Sequence, residues 1–397
     1  MSALAAMSLS QTAIAADPIL DANVDNPAGT TISGTSSGYG VRLWTGGPYT
    51  ILNSGEINAT INKTAFGIEI DDTTVTSINN TSTGVIKADA TTGNGGYGIN
   101  VESGSIGTLI NAGLISGSAG GDGGYGIWVY NSSVGTINNS GLITTSAGGE
   151  DAFGIIVDTT STVGTITNSG TITTSAGVDD AYGIFVDDDS TVDTITNSGT
   201  ITTSAGEDDA FGIIVDDDST VDTITNSGTI TASAGVDDAY GIFVDTTSSV
   251  GTITNSGTIT ASAGEDDAFG IYVDTTSSVG TITNSGLITT TTVEDDAVGI
   301  YVDSNSIVDN IDNTGTISVT AGIKEATGIR LETSSTITTL TNSGTINALA
   351  KTDARGMHVD SGNSIGTLNN SGTISALATS DTAYGIHITD TSSSITT

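Results

Sequence analysis

Two series of acidic residues recur every 29 residues along the middle of the chain. The first series has another acid directly before each member and consists of Asp151, Asp180, Asp209, Asp238, Asp267 and Asp296. The second consists of Asp158, Asp187, Asp216, Asp245, Asp274 and Asp303. If each series stacks in space, neighbouring carboxylates repel one another, and their oxygens are ligands that suit Ca²⁺.

Ca²⁺ is therefore a candidate ligand of these acidic columns, and we expect no other cofactor. The columns do not match the Gly-Gly-x-Gly-x-Asp calcium repeat, so we assign no residue as a metal ligand. The alternative is that the acids only keep the surface soluble and unpaired, with their charges screened by salt.

A second place for chemistry is the pair His358 and His387, with Asp360 nearby. Two imidazoles and a carboxylate suit weak metal binding or proton transfer. However, a catalytic site in a repeat protein must break the repeat, and the central acids all keep its register. We therefore predict that the protein is not an enzyme and name no catalytic residue. A polysaccharide-active β-helix enzyme is the alternative.

The element that must position these side chains is a repeat of fixed length. An Asn-Ser-Gly triplet begins at Asn168, Asn197, Asn226, Asn255 and Asn284, always 29 residues apart. A Gly-Ile step, or its equivalent, recurs at Gly40, Gly67, Gly98, Gly126, Gly154, Gly183, Gly212, Gly241, Gly270, Gly299, Gly328, Gly356 and Gly385. Such a period is typical of solenoids.

Each repeat contains three short segments rich in Ile, Val and Thr that are separated by Gly, Ser, Asn or Asp, as strands between turns are. Three short strands cannot bury an apolar face alone, but stacking on the next repeat does bury it. We predict an all-β fold, a right-handed parallel β-helix with about 29 residues and three strands per coil, and about 13 coils.

The regularity of the repeat divides the chain. Residues 1–16 resemble a secretory signal, with small apolar residues ending in Ala13-Ile14-Ala15, although the first basic residue is Arg42. Irregular coils follow over residues 17–123, regular repeats over 124–309 and irregular coils again over 310–397. Because the last residues enter a new strand, we expect the chain to be truncated there. A start codon placed too far downstream would explain the missing basic residues of the leader, and so would coincidence in an Ala-rich segment.

Composition restricts the partners. The formal net charge is -38, there is no Cys, and no Lys or Arg lies between Lys87 and Lys324. Such a surface repels nucleic acid phosphates and anionic lipid. No segment is long and apolar enough to insert into a membrane as a helix. We expect an exported protein that binds neither nucleic acid nor membrane.

The iterated Thr-Ile-Thr-Asn-Ser-Gly-Thr-Ile phrase, with an Ala-Tyr/Phe-Gly-Ile strand between copies, resembles the passenger region of bacterial autotransporters (type V secretion). The resemblance covers nearly the whole chain after the leader. It implies a rod on, or released from, the surface of a Gram-negative cell, serving in attachment or as a structural stalk. It implies as partners a protein or glycan of a host or neighbouring cell, or a second copy. The C-terminal β-barrel translocator of that family is not recognisable here.

A stripe of apolar residues is the candidate partner-binding site. Strict alternation places Ile184 and Val186 inside, so the residue between them points outward. The outward column over seven coils consists of Trp128, Ile156, Phe185, Ile214, Phe243, Tyr272 and Tyr301. A contiguous exposed apolar stripe is unusual and tends to mark an interaction surface.

The neighbouring aromatic column has the opposite parity and is predicted to fill the core. It consists of Tyr39, Phe66, Tyr97, Tyr125, Phe153, Tyr182, Phe211, Tyr240 and Phe269. A further alternative function rests on Thr-x-Thr units such as Thr194-Ile195-Thr196 and Thr200-Ile201-Thr202. These units resemble the threonine arrays of ice-binding β-solenoids, and the Asn-Ser-Gly turn bends the face between them.

Overall fold

The structure is a computed structural model that describes residues 14–15, 23–34, 38–93, 95–121, 123–389 and 393–395. The predicted leader, residues 1–16, lies outside the described residues except for Ile14 and Ala15. Within the described part of the chain there is no helix, and hence none that could cross a membrane. The chain divides into two compact units, the first comprising residues 1–185 and 189–192 and the second residues 186–188 and 193–397.

Each unit contains three parallel sheets. In the first unit, sheet 1 consists of β1 (Ile14–Ala15), β3 (Thr31–Gly34), β6 (Glu56–Ile61), β9 (Val85–Ala90), β12 (Leu114–Ala119), β15 (Leu142–Ala147) and β18 (Thr171–Ala176). Sheet 2 consists of β4 (Tyr39–Leu43), β7 (Ala65–Asp71), β10 (Gly96–Glu102), β13 (Gly124–Tyr130), β16 (Ala152–Asp158) and β19 (Ala181–Val186). Sheet 3 consists of β2 (Val24–Asn26), β5 (Tyr49–Asn53), β8 (Thr74–Asn80), β11 (Ser105–Asn111), β14 (Ser133–Asn139) and β17 (Thr162–Asn168), with β20 (Thr191–Asn197) at the unit boundary.

The second unit repeats this arrangement. Its sheet 1 consists of β21 (Thr200–Ala205), β24 (Thr229–Ala234), β27 (Thr258–Ala263), β30 (Leu287–Thr292), β33 (Thr316–Ala321), β36 (Thr345–Ala350) and β39 (Thr373–Ala378). Its sheet 2 consists of β22 (Ala210–Val215), β25 (Ala239–Val244), β28 (Ala268–Val273), β31 (Ala297–Val302), β34 (Ala326–Leu331), β37 (Ala354–Val359) and β40 (Ala383–Ile388). Its sheet 3 consists of β23 (Thr220–Asn226), β26 (Ser249–Asn255), β29 (Ser278–Asn284), β32 (Ile307–Asn313), β35 (Thr336–Asn342), β38 (Ser364–Asn370) and β41 (Ser394–Ile395).

These strands confirm the predicted fold class, an all-β parallel solenoid with three short strands per coil. Sheet 2 contributes six strands to the first unit and seven to the second, which corresponds to about 13 coils. The register repeats almost without variation: Thr200 pairs with Thr229, and Ile201 with Ile230. The coil length is 29 residues in the regular part and varies from 27 to 31 residues in the first coils.

The core of each coil is a row of Ile and Val from all three sheets. In one coil Ile213, Val215, Val221, Ile224 and Ile230 are all fully buried. Burial of each such side chain stabilises the fold by about 1.5–3 kcal/mol. Because each residue lies on its counterpart in the next coil, the same side-chain shape is packed repeatedly.

A column of asparagines crosses this apolar interior at the C-terminal end of sheet 3. The Nδ2 of Asn226 donates to the Oδ1 of Asn255 in the next coil at 2.8 Å and to the Thr258 carbonyl at 3.1 Å. Asn226 in turn accepts a hydrogen bond from Asn197 at 2.8 Å. In the second unit the column comprises Asn197, Asn226, Asn255, Asn284, Asn313, Asn342 and Asn370. In the first it comprises Asn26, Asn53, Asn80, Asn111, Asn139 and Asn168.

A second polar column consists of serines in the turn before sheet 3. The Oγ of Ser248 accepts the backbone N–H of Ser219 at 3.1 Å, and Ser277 does the same for Ser248. These serines are buried, so each hydroxyl satisfies a backbone donor that water does not reach. Both polar columns thus join each coil to the next from the inside.

Candidate functional site: the outer face of sheet 2

The predicted apolar stripe lies on the outer face of sheet 2, but the prediction that it is exposed is wrong for six of its seven residues. Their exposed fractions are Ile156 5%, Phe185 9%, Ile214 3%, Phe243 8%, Tyr272 9% and Tyr301 7%. Trp128 alone is half-buried. The outward direction is right, because Ile184 and Val186 on either side of Phe185 are fully buried in the core.

The stripe is covered by other aromatic rings. Phe243 stacks on Tyr272 with ring centroids 5.0 Å apart, and Tyr272 stacks on Tyr301 at 4.7 Å. Phe243 also stacks on Tyr240, its neighbour along the chain, at 4.7 Å. Because one coil rise is close to the thickness of a stacked ring pair, each ring hides the faces of the next and only ring edges meet solvent.

The second aromatic column lies on this same outer face, so its predicted place in the core is wrong. Tyr240 stacks on Phe243, and its hydroxyl donates to the carboxylate of Asp238 at 2.7 Å. The cause is the glycine that follows each ring. A Cβ on Gly212 would lie 2.3 Å from Cγ2 of Ile230 in the core, so this position faces inward, and the inward alternation restarts at Ile213. Two consecutive inward positions shift the parity and place Phe211 outside.

The polar atoms of these rings bind the acidic columns. Tyr272 donates to Asp274 at 2.9 Å, and the Trp128 indole donates to Asp158 at 3.1 Å. The Tyr301 hydroxyl lies within donating distance of both Asp303, at 3.0 Å, and Glu332, at 2.8 Å. Burial, followed by the negative charge of these neighbours, raises the pKa of Tyr272 well above its usual range. The phenols therefore stay protonated and act as donors.

The first acidic column joins coils through its carboxylates. Oδ1 of Asp238 accepts the backbone N–H of Asp267 at 2.8 Å, and Oδ1 of Asp267 accepts that of Asp296 at 2.8 Å. Burial raises the pKa of Asp267 to about 7, and neighbouring carboxylates add to the rise. In the first unit, burial likewise raises the pKa of Asp151 to about 6.

Aspartates of the second acidic column accept hydrogen bonds from backbone N–H groups in the turn after sheet 2. Asp216 accepts the N–H of Asp217 at 2.8 Å, and Asp217 and Asp218 both adopt left-handed φ angles of 45° and 59°. Such conformations cost about 1–2 kcal/mol per residue for L-amino acids, and Asp tolerates them better than most. The aspartate side chain compensates by hydrogen bonding to the turn.

Among the residues that the structure describes, two groups of carboxylates lie close enough together to hold a cation. They are Asp187, Asp216 and Asp217, and Asp267, Asp295 and Asp296, each with ligand oxygens within 4.8 Å of one another. Asp295 is also paired with Lys324. Because the turn and coil-to-coil hydrogen bonds already account for Asp216 and Asp267, Ca²⁺ binding stays a prediction.

The aromatic columns end at a cluster of charged residues in β34 and β37. Arg330 lies 5.3 Å from the Tyr301 ring centroid and pairs with Asp296 at 3.1 Å and with Glu332. Arg355 pairs with Glu325 and with Asp353, and its Nε donates to Nδ1 of His387 at 3.1 Å. Each guanidinium therefore has carboxylate partners on the protein itself.

The two predicted histidines meet in this cluster, with ring centroids 5.0 Å apart. Nε2 of His358 is 3.0 Å from the Thr389 hydroxyl, and its Nδ1 is 3.8 Å from Glu325. Burial lowers the pKa of His358 to about 4, so the ring is neutral at pH 7. The carboxylate of Asp360 accepts the backbone N–H of Ser361 at 2.7 Å. The two carboxylates beside the histidines, Glu325 and Asp360, are thus hydrogen bonded or ion-paired within the fold.

Sequence reasoning singled out the histidines but missed the ion pairs of Arg330 with Asp296 and Glu332 and of Arg355 with Glu325. Their signal was the return of basic residues where the repeat becomes irregular. The two Thr-x-Thr units lie in different sheets: Thr194 is in β20 of sheet 3 and Thr200 in β21 of sheet 1.

Comparison with family models, with curated proteins and with solved structures found no match.

The burial of both aromatic columns predicts the effect of removing either ring. We expect Phe243→Ala and Phe211→Ala each to lower the free energy of unfolding by about 3 kcal/mol, because each removes a buried ring that stacks on rings of a neighbouring coil. Urea denaturation measures this. Thr231→Ala, on the half-buried outer face of sheet 1, serves as control and should cost within about 0.5 kcal/mol. If Phe243→Ala cost no more than the control, the stripe would be free surface.

The buried acids predict how stability depends on pH. Burial raises the pKa of Glu69 and Asp267 to about 7 and that of Asp151 to about 6, so between about pH 4 and 7 the folded state binds more protons than the unfolded state. Protonation of these carboxyls therefore stabilises the folded state at low pH. The contribution is lost as the pH rises through the pKa values of the folded state. His358, with its pKa lowered to about 4, opposes it below about pH 6.5.

The carboxyls with a lowered pKa, Glu325, Asp353 and Asp360, change stability mainly below about pH 5. Between pH 5 and 8 the three raised carboxyls outweigh His358, so we expect a higher Tm at pH 5 than at pH 8. Asp267→Asn keeps an oxygen for the Asp296 N–H and removes the charge, so it should raise Tm at pH 8 and change it little at pH 5. Asp222→Asn, at an exposed position, is the control. A Tm that is higher at pH 8 than at pH 5 would show that the carboxyls are ionised in the fold without penalty.

Proposed function

We propose that the protein is an exported, non-enzymatic β-solenoid that serves as a structural spacer on the surface of a Gram-negative cell, as the passenger regions of autotransporters do. The observation that carries the proposal is the coil-to-coil identity of the internal hydrogen bonds. Asn226 bonds to Asn255 as Asn255 bonds to Asn284, at 2.8 Å in both cases. A coil of this kind is an interchangeable module, and each one adds about 4.8 Å of length.

The surface supports a spacer better than a cleft enzyme. Three depressions in the described part of the chain have volumes of 310, 280 and 390 Å³ and are lined mainly by Thr, Ser, Gly and small apolar side chains, with one or two charged residues each. The perturbed carboxyls and the charged cluster on sheet 2 are hydrogen bonded or ion-paired within the fold. A net charge of -38 also opposes sideways association between copies.

Export also has support in the sequence. Residues 1–16 resemble a secretory signal, and the strongly acidic, cysteine-free composition is compatible with an extracellular setting. The repeat phrase resembles that of autotransporter passengers over nearly the whole remaining chain. A structural role requires no conserved pocket, which agrees with side chains that are used mainly to join coils.

The location is tested on intact cells of the native host. We expect externally added protease to digest the protein, as detected with an antibody against the chain, while a cytoplasmic marker stays intact. Protection in intact cells, with digestion only after lysis of both membranes, would contradict export.

The modular role is tested by deleting one coil. Removal of residues 197–225 joins Thr196 to Asn226 in phase, so we expect a folded protein with nearly the same Tm that is shorter by about 4.8 Å. Removal of 14 residues, 197–210, is the matched control and should unfold the second unit because it breaks the register. Equal damage from both deletions would show that coils are not interchangeable.

A further inference from the structure

The turn after β4 breaks the pattern of the other coils and carries the most exposed aromatic ring among the described residues. In most other coils sheet 2 is followed by an acid and a short left-handed turn, as at Asp216 to Asp218. Here the chain runs through Trp44, Thr45, Gly46, Gly47 and Pro48, and all five are exposed. Trp44 is 42% exposed, whereas Trp128 is half-buried with its indole nitrogen bonded to Asp158.

Hydrogen bonds and ring contacts hold this turn in place. The hydroxyl of Tyr49 donates to the Thr45 carbonyl at 2.6 Å, and the hydroxyl of Thr73 in the next coil donates to the Gly46 carbonyl at 2.9 Å. The Arg42 guanidinium lies 5.0 Å from the Trp44 ring centroid. An aromatic ring that is fixed before binding loses little conformational entropy when a ligand stacks on it.

Arg42 links the exposed indole to two carboxylates. Its guanidinium also lies 4.8 Å from the Tyr39 ring, while Nε pairs with Glu69 at 2.5 Å and Nη2 pairs with Asp71 at 3.1 Å. Glu69 is buried, whereas the Asp71 side chain is one-third exposed. An ionised carboxylate has about four acceptor positions, so Asp71 can accept hydrogen bonds from a ligand while it remains paired with Arg42.

This combination selects the chemistry of the ligand. An exposed indole face attracts polarised C–H groups, and a carboxylate accepts hydrogen bonds from hydroxyl groups. Anionic ligands are disfavoured, because Arg42 already pairs with Glu69 and Asp71 and the protein carries a charge of -38. The exposed part of one indole is about 100 Å², far below the area of a protein interface but comparable to one sugar ring.

We propose that Trp44, with Asp71 and Arg42 beside it, is a binding site for a neutral saccharide. The C–H face of a pyranose ring stacks on the indole, hydroxyl groups of the sugar donate to the Asp71 carboxylate, and Arg42 positions both side chains. The site goes beyond the spacer function and does not depend on it, because saccharide binding by the purified protein is independent of where the cell places the chain.

The test is a calorimetric titration of the purified full-length chain with three neutral probes: cellohexaose, maltohexaose and N-acetylchitohexaose. We expect saturable binding of at least one of them and a saturation-transfer NMR signal from its ring C–H protons. Trp44→Ala should weaken that binding by at least about tenfold, as the loss of an aromatic anchor does, with little change in Tm. Trp44→Phe should retain part of the affinity.

Tyr384→Ala is the matched control, because Tyr384 is a similarly exposed aromatic residue, at 38%, in the second unit. It should leave binding unchanged. The proposal is overturned if none of the three probes binds saturably, if Trp44→Ala binds as tightly as the wild type, or if polygalacturonate binds more tightly than the neutral probes. It is also overturned if Trp44→Ala instead abolishes a concentration-dependent dimer. Protease accessibility on intact cells would be unaffected by any of these results.

Discussion

The rest of the structure depends on the hydrogen bond between a buried asparagine and the same asparagine one coil later. A primary amide both donates and accepts, so it is complementary to a copy of itself stacked above it. Asn226 uses both of its N–H groups on the next coil, one on Asn255 and one on the Thr258 carbonyl. A buried amide without these partners costs about 1–3 kcal/mol, so a coil that slips in register loses stability at once. The apolar rows alone tolerate small shifts, whereas this column does not.

Stacking of identical residues then decides what each face of the solenoid can do. Stacking stabilises the aromatic rings, and the rings of the two columns on sheet 2 bury one another's faces so that only ring edges are exposed. Stacked carboxylates repel one another. Asp238 and Asp267 each accept a hydrogen bond from a backbone N–H of the next coil, which offsets this repulsion. Burial raises the pKa of Asp267, and the charge of the neighbouring carboxylates adds to the rise. An arginine lies over an aromatic ring of these columns in each unit: Arg42 over Tyr39 in the first unit and Arg330 over Tyr301 in the second.

The sequence was sufficient to predict the class of fold, because a 29-residue period with three Ile- and Val-rich segments admits few alternatives. It was also sufficient to place Ile184 and Val186 in the core. It was not sufficient to predict solvent exposure. Alternation indicates that Phe185 points outward, but it does not indicate whether neighbouring rings bury that side chain. The error in the second aromatic column has a clear cause, since strict alternation assumes an unbroken strand. A glycine in every coil, such as Gly212, was the available sign that the backbone approaches the core there and that parity changes.

The most direct test of the account is hydrogen exchange of the asparagine side-chain amides, measured by NMR on ¹⁵N-labelled protein. If the buried asparagine column holds the coils together, the Nδ2 protons of Asn226 and Asn255 should exchange as slowly as core backbone amides, because both require the coils to open. The exposed Asn347 provides the reference for rapid exchange. Exchange of the Asn226 side chain at the rate of Asn347, while backbone amides of β23 stay protected, would contradict the claim.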